Sequence, residues 1–212
     1  LRLLERWREL LGPIEVGTAT RLGFGRSSSP IAELLPALEL ALPGERTVRL
    51  VGQTELLLRD GDRHTSVIPL LGDATKKSRY HLRGALDHVV LAAAGLADHG
   101  HVHVLMDADG TVRRVEHAPW TRDEAREYLV SLAGELLDEP HGYLLPFDHL
   151  CAALEGKPPG RQYGEPTSVL GFGPITRLDG LAPPADPAAI AQRRLAPLVA
   201  RMHGDHGFGG GS

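Results

Sequence analysis

Three of the eleven histidines in this 212-residue chain alternate with other residues along one short stretch, at His99, His101 and His103. Alternate side chains of a β-strand share a face, so His101 and His103 have the spacing to bind one metal ion. Val102 and Val104 have the same spacing, and they favour a half-buried strand whose valines point inward and whose histidines form a polar outer face. No His-Glu-x-x-His motif accompanies the stretch. We therefore predict neither a metal site nor a cofactor.

The second candidate for chemistry is the carboxylate of Glu55, which ends the stretch Gly-Gln-Thr-Glu. Restriction-endonuclease-like nucleases place one acid on a hairpin strand and an acid-x-Lys motif on the next strand, about a dozen residues later. The two acids hold Mg²⁺, and the lysine steadies the attacking water or the phosphate. The return strand here reads Val67-Ile68-Pro69-Leu70, with neither acid nor lysine. Glu55 is therefore a vestigial candidate, and a fold of this kind would be catalytically inactive.

One alternative keeps the nuclease active. Asp73 and Lys76 or Lys77 follow the return strand at the wrong spacing for one strand, but together with Glu55 they would form a displaced Mg²⁺ site. A second alternative is a protein-interaction domain with no role in processing DNA.

Four basic residues cluster where a long helix is predicted to start: Lys76, Lys77, Arg79 and Arg83. A phosphate would meet both side-chain charge and helix amides there, so these four are the predicted DNA-binding residues. The alternative is an ordinary solvated helix start.

The remaining reactive groups favour structural roles. Cys151 lies beside Leu150 and Leu154 on an apolar helix face, which indicates a buried, inert thiol. The run Gly23-Phe24-Gly25-Arg26-Ser27 has amides for a phosphate, but it follows no predicted strand, so we interpret it as a flexible loop. The sequence contains no Walker motif and no Gly-x-Ser-x-Gly motif.

The composition is that of a globular protein, with 42% hydrophobic and 24% charged residues. It excludes a collagen, a coiled coil and a wholly disordered chain. The net charge of −4 argues against a free-standing nucleic-acid binder. No apolar run reaches membrane-spanning length, and a single cysteine fits a reducing compartment, so we expect a cytoplasmic location without a membrane partner. The start at Leu1 without Met and the Gly-Gly-Gly-Ser end suggest a piece of a longer protein, cut at a domain boundary.

The predicted elements describe one α+β domain over residues 1–203 with a small mixed sheet, followed by a disordered tail over 204–212. The pattern predicts helices over 1–11, 31–42, 76–96, 121–137, 146–154 and 186–201, with a loop over 17–30 and an irregular segment over 155–173. It predicts strands over 47–51, 56–58, 65–71, 102–106 and 111–117. Thr121 and Glu124 have the spacing of a capping box at the start of their helix.

The stretch from Val48 to about Leu154 resembles the C-terminal domain of RecC, the gamma subunit of exodeoxyribonuclease V. The resemblance rests on the hairpin start Val-Arg-Leu-Val-Gly, the helix from Leu82 to Gly95 and the hairpin that follows it. It extends through the helix from Thr121 to Leu137 to Leu-Leu-Pro-Phe, and upstream to Thr-Arg-Leu-Gly-Phe at residues 20–24. Ala85 stands where the family usually has a large aromatic residue, and the match is weakest after about residue 156.

The resemblance implies a restriction-endonuclease-like, PD-(D/E)XK-type core without nuclease activity. It also implies a scaffold role beside a RecB-like helicase-nuclease and a RecD-like helicase, in a complex that processes double-strand breaks. In that complex RecC-like subunits help to split the duplex, guide single strands and take part in Chi recognition. Residues 155–172 are a candidate for a strand-separating pin.

Overall fold

The computed structural model describes residues 19–30, 32–60, 63–70, 80–97, 100–107, 112–138 and 187–204, together with Glu5, Arg8 and Glu9. Within these ranges the chain forms ten strands and three helices. The strands are β1 (Ala19–Phe24), β2 (Ala32–Leu35), β3 (Leu38–Leu42), β4 (Arg46–Leu50), β5 (Gly52–Gln53), β6 (Leu56–Asp60), β7 (Arg63–Pro69), β8 (His101–Met106), β9 (Val112–His117) and β10 (Met202–Gly204). The helices are α1 (His81–Ala93), α2 (Arg122–Asp138) and α3 (Pro187–Val199).

The main sheet is mixed and has the strand order β10-β9-β8-β7-β6-β1-β2, with β5 paired to β1. Strands β6 and β7 form an antiparallel hairpin, as do β8 and β9. Strand β7 runs parallel to β8, and α1 lies in the connection between them. Strands β3 and β4 form a separate two-stranded sheet. The α+β class and the mixed sheet are therefore as predicted, although the sheet is larger than expected.

Strands β7 and β8, near the centre of the main sheet, are buried on both faces. On one face the three helices enclose a core that includes Leu57, Val89, Leu129 and Met202. On the other face Val67, Val102, Val104 and Met106 form a second apolar cluster, with Leu56 and Leu58 packed against it. Neither strand therefore has a face exposed to solvent, which is typical of a parallel pair joined by a helix.

A glycine ends α1, and the predicted capping box starts α2. Gly95 has a φ of +77°, and the amide of Leu96 donates to the carbonyl of Leu91. The helix therefore stops at Ala93, three residues before its predicted end. At the start of α2, the Thr121 hydroxyl accepts from the Glu124 amide while the Glu124 carboxylate accepts from the Thr121 amide. The predicted capping box is confirmed.

Two predictions near the start of the chain were wrong. Residues 19–24 form β1 inside the predicted loop 17–30, because Leu22 and Phe24 are buried in the core. Residue 23 of this strand is a glycine, because a Cβ at that position would lie 2.7 Å from the Cβ of Ser27. Residues 32–42 form two strands instead of a helix, since Leu38, Leu40 and Leu42 alternate with exposed residues at the two-residue period of a strand.

The end of the chain also differs from the prediction. Helix α3 stops at Val199, two residues early, and β10 follows it and includes Gly204, with which the predicted tail begins. The described residues contain only isolated positions of the predicted helix 1–11, and the predicted helix 146–154 and irregular segment 155–173 lie outside them. Among the helices that the structure describes, none combines the length and apolar character needed to cross a membrane.

Candidate functional site

A row of three histidines crosses the helix-covered face of the sheet. The strand register places His64 of β7 opposite His101 of β8, and His101 opposite His117 of β9. One step along, Ser66 of β7 lies opposite His103 of β8. All five side chains are buried. Polar groups thus occupy a region of the sheet that would normally be apolar core.

Helix α1 contributes the other half of this polar layer. His81, Asp87 and His88 are buried on the helix, and they face the sheet along with Gly84. A Cβ added at Gly84 would lie 2.4 Å from the Cβ of His103, so the glycine provides the space that the imidazole ring occupies. We call the eight residues His64, Ser66, His81, Asp87, His88, His101, His103 and His117 the buried histidine layer.

Hydrogen bonds link the imidazoles of this layer into a chain. Nδ1 of His81 and Nε2 of His103 are 2.7 Å apart, as are Nδ1 of His103 and Nε2 of His117. Each neutral ring has one donor and one acceptor nitrogen, so His103 bridges the other two without any of the three carrying charge. The chain is therefore compatible with a water-poor interior.

A second hydrogen-bond chain starts at Asp87. Its carboxyl group accepts from the Ser66 hydroxyl at 2.5 Å and from the backbone amide of Glu55 at 3.2 Å. The same Ser66 oxygen lies 3.0 Å from Nε2 of His101. Burial raises the pKa of Asp87 to about 7, against the opposing effect of the Ser66 hydrogen bond and with a further rise from the nearby charge of Glu55. Near neutral pH this carboxyl group is therefore partly protonated.

The charged form of two histidines is strongly disfavoured. Burial, together with the neighbouring His117 and Arg201, lowers the pKa of His88 to about 2. Burial also lowers the pKa of His101 well below its ordinary value, with His88, His117 and His64 adding to the effect. The His88 and His101 rings stack with centroids 5.2 Å apart and planes 8° from parallel. Both side chains are neutral at any pH near 7.

The vestigial candidate Glu55 lies directly before β6, at the edge of this layer. Its Oε1 accepts a hydrogen bond from Nε of Arg83, on α1, at 2.6 Å. The Glu55 side chain is 16% exposed, whereas that of Arg83 is 42% exposed. The carboxylate that was a candidate metal ligand is thus held in an ion pair with one of the four predicted DNA-binding residues.

The other predicted site residues cannot be compared with the structure. Lys76, Lys77, Arg79, Asp73 and Cys151 lie outside the described residues, as does His99. The DNA-binding role of the four basic residues and the displaced nuclease site therefore remain predictions. In the part of the chain that the structure describes, no group of three His, Cys, Asp or Glu side chains has the geometry to hold a metal ion.

The predicted outward orientation of His101 and His103 was wrong. Both side chains are buried against α1, while Val102 and Val104 pack into the apolar cluster on the opposite face of the sheet. The prediction assumed that one face of β8 meets solvent, which does not hold for a central strand next to a parallel neighbour. The available signal was the pair His81 and His88, which are seven residues apart and so lie on one helix face.

No family model and no curated protein matches the sequence. Among solved structures, SSO0001 aligns with this chain at 13% sequence identity and a TM-score of 0.38. The alignment covers 65% of this chain and 57% of SSO0001, so the chain spans a little over half the length of that neighbour. A likeness at this level carries no argument about fold or function.

Proposed function

We propose that this chain is a noncatalytic DNA-guiding and scaffolding domain of a RecBCD-type helicase-nuclease complex. The observation that carries the proposal lies at the start of the β6–β7 hairpin. There the one acid at the expected nuclease position is engaged by Arg83, and its neighbouring carboxyl group, that of Asp87, belongs to the buried histidine layer. A restriction-endonuclease-like core that has lost its ion site is consistent with this arrangement.

The return strand supports the proposal through the residues that replace the acid-x-Lys motif. The register pairs Leu56 with Val67, so Ile68 faces the position of Glu55 across the hairpin. Ser66, Val67 and Ile68 are each at most 2% exposed. An acid and a lysine here would need contact with water and with a phosphate, and these three positions are packed into the interior instead.

The chemistry of Asp87 is also unlike that of a magnesium ligand. Mg²⁺ binds ionised carboxylates and usually keeps several of its water molecules. Asp87 is 8% exposed, accepts hydrogen bonds from Ser66 and from the Glu55 amide, and has a pKa of about 7. A carboxyl group that is enclosed in this way and already accepts hydrogen bonds from Ser66 and the Glu55 amide favours a structural role over cation binding.

The topology agrees with the proposed core at the level of its elements. A hairpin that starts with an acid is followed by α1 and by β8, which pairs in parallel with β7, and helices cover the sheet. The RecB-like and RecD-like partners come from the sequence resemblance, the cytoplasmic location comes from the composition, and both belong to the same proposal.

A nuclease assay tests the loss of catalysis. With Mg²⁺ or Mn²⁺, the full chain should leave both single-stranded and double-stranded DNA intact, and Glu55→Ala should behave identically. Glu33→Ala, which alters an exposed glutamate on β2, is the matched control. Cleavage that Glu55→Ala abolishes and Glu33→Ala retains would overturn the noncatalytic assignment in favour of the displaced nuclease site.

Co-purification tests the scaffold role. When the full chain is co-expressed with a RecB-like helicase-nuclease, we expect a stable complex and an affinity for that partner that exceeds the affinity for free DNA. Tight binding of the isolated chain to DNA at physiological salt, without any binding to the partner, would contradict the proposal.

A further inference from the structure

We propose that an open cavity at the end of β1 binds a phosphate group of a nucleic-acid strand. The cavity has a volume of about 360 Å³ and is lined by Arg26, Ser27, Ser28, Gly52 and Gln53. We call it the Arg26 cavity. The choice of nucleic acid as ligand rests on the proposed function, whereas the preference for an anion rests on the lining residues alone.

The loop that forms the cavity is fixed by its backbone. Gly25 has a φ of +70°, and its amide donates to the carbonyl of Leu35 on the neighbouring strand β2. A Cβ at Gly25 would lie 2.9 Å from Cγ1 of Val51 and 3.0 Å from the Cβ of Ala37, so only glycine fits the turn. This turn positions residues 26–28 beside Gln53 of β5.

Hydrogen bonds orient the Gln53 side chain within the cavity. Its Oε1 accepts from the Ser27 hydroxyl at 2.7 Å and from the Ser28 amide at 3.3 Å. The Ser27 oxygen in turn accepts from the Ser29 amide at 3.1 Å. Two donors hold the Gln53 oxygen, and the two N–H groups of the same side chain remain as donors for an acceptor.

Arg26 gives the cavity a positive charge, and no described carboxylate neutralises it. The exposed guanidinium of Arg26 forms no ion pair with any carboxylate that the structure describes, and no acid lines the cavity. A Cβ added at Gly52 would meet no atom within 4 Å, so there is room for a ligand beside this residue. Arg26, the Ser28 hydroxyl and the Gln53 amide thus form a set of donors that suits a phosphate.

The cavity matches the backbone of a strand better than its bases. Sequence-tolerant base binding uses aromatic side chains on which bases stack, and the lining contains none. A phosphate contact through one arginine positions a strand without reading its sequence. This is the kind of contact that a domain guiding a single strand requires.

A binding experiment on the full chain labelled with ¹⁵N tests the proposal. Inorganic phosphate and a short single-stranded oligothymidine, titrated separately at low salt, should both shift the amide signals of Ser28, Gly52 and Gln53. Arg26→Ala should weaken oligothymidine binding about fivefold. It should also reduce the magnitude of the slope of log K against log salt by about 0.7, the value for one phosphate contact on a single strand.

Two further variants separate the site from general charge. Gln53→Glu keeps an oxygen that can accept from Ser27 and Ser28 but adds a negative charge, so it should weaken binding of both probes. Arg63→Ala removes an exposed arginine at the other end of the β6–β7 hairpin and should leave binding unchanged.

Equal weakening by Arg26→Ala and Arg63→Ala would overturn the proposal, as would loop amides that do not move with either probe. Shifts with inorganic phosphate alone would overturn the assignment to nucleic acid. None of these readings depends on a RecB-like partner, so a failure of the scaffold role would be seen separately in the co-purification.

Discussion

His88 lies in an environment unlike the one that its chemistry favours. Its side chain is fully buried, and neither ring nitrogen has a hydrogen-bond partner within the described part of the chain. A buried polar group without a partner loses its hydrogen bonds to water and regains none, at a cost of about 1–3 kcal/mol. The stacked His101 ring supplies van der Waals contact in place of hydrogen bonds.

Replacing His88 by phenylalanine should therefore stabilise the protein. The aromatic ring keeps the stacking on His101 and removes two nitrogens that lack partners, so the free energy of unfolding should rise by about 1 kcal/mol. Urea denaturation followed by circular dichroism measures this change.

His117→Phe is the matched control, and its effect should have the opposite sign. His117 shares a hydrogen bond with Nδ1 of His103, so its removal leaves a buried nitrogen unpaired and should cost about 2 kcal/mol. Equal destabilisation by the two variants would show that His88 has a polar partner in solution.

At the scale of elements, the fit between α1 and the sheet depends on one missing side chain. Gly84 lies above His103, with 2.4 Å between an added Cβ and the Cβ and Cγ atoms of the histidine. These are the near atoms of a buried ring, so a methyl group at residue 84 would push the helix away from β8. The helix can approach the sheet this closely only because residue 84 is glycine.

Gly84→Ala and Gly134→Ala should therefore have opposite effects. Both glycines lie inside helices, where alanine is favoured by about 1 kcal/mol. At Gly134 a Cβ meets nothing within 4 Å, so this variant should gain about that amount. Gly84→Ala should lose about 2–3 kcal/mol, since overpacking outweighs the gain in helix propensity. Thermal unfolding of both variants beside the parent checks the signs, and a stabilised Gly84→Ala would contradict the close approach of α1.

The elements that could be predicted from the sequence are those with local signals. Gly95 ends α1 within three residues of the predicted end, Thr121 and Glu124 cap α2, and the predicted strand 65–71 overlaps β7. The strands β1 and β10 could not be predicted, because β1 pairs with β6 and β10 pairs with β9, and both partners are distant in sequence. Leu38 to Leu42 shows the ambiguity directly, since its short apolar pattern also fits one face of a helix.

The candidate site was predictable only in part. Glu55 could be found from its position before a hairpin strand, and its ion pair with Arg83 could not, because 28 residues separate the two. The buried histidine layer was missed because alternation shows which side chains share a face, and not which face is buried. That depends on α1 packing over a parallel pair of strands.

At the scale of the whole molecule, the buried histidine layer should make stability depend on pH. The lowered pKa values of His88 and His101 mean that the unfolded chain binds two protons below about pH 6.5 that the native state excludes. The raised pKa of Asp87 acts in the opposite sense, since the native state keeps one proton between 3.8 and about 7 that the unfolded chain loses. Between about pH 4 and 6.5 the unfolded state binds one more proton in net.

Stability should accordingly rise by about 1.4 kcal/mol per pH unit near pH 5, and the slope should then fall to zero at a stability maximum near pH 6.5. Asparagine does not titrate, so Asp87→Asn removes the proton that the native state keeps at residue 87. The rise in stability per pH unit should then approach twice that of the parent protein. Urea denaturation of both proteins at about pH 5 and pH 6 measures the two slopes. A parent protein with equal stability at both pH values would contradict the neutral state of His88 and His101.

The C-terminal strand has a consequence for the order in which the chain folds. Arg201 donates to the carbonyl of Pro119, 82 residues earlier, and its guanidinium lies 3.8 Å from the centroid of the Trp120 ring, while Met202 pairs with His117 of β9. Contacts so far apart in sequence carry a large loop-closure entropy, whereas the β6–β7 and β8–β9 hairpins close locally. His117 of the buried histidine layer thus lies on β9, which pairs on its outer side with β10. This pairing joins residues farther apart in sequence than any other pairing described in the sheet, so we expect it to form late in folding.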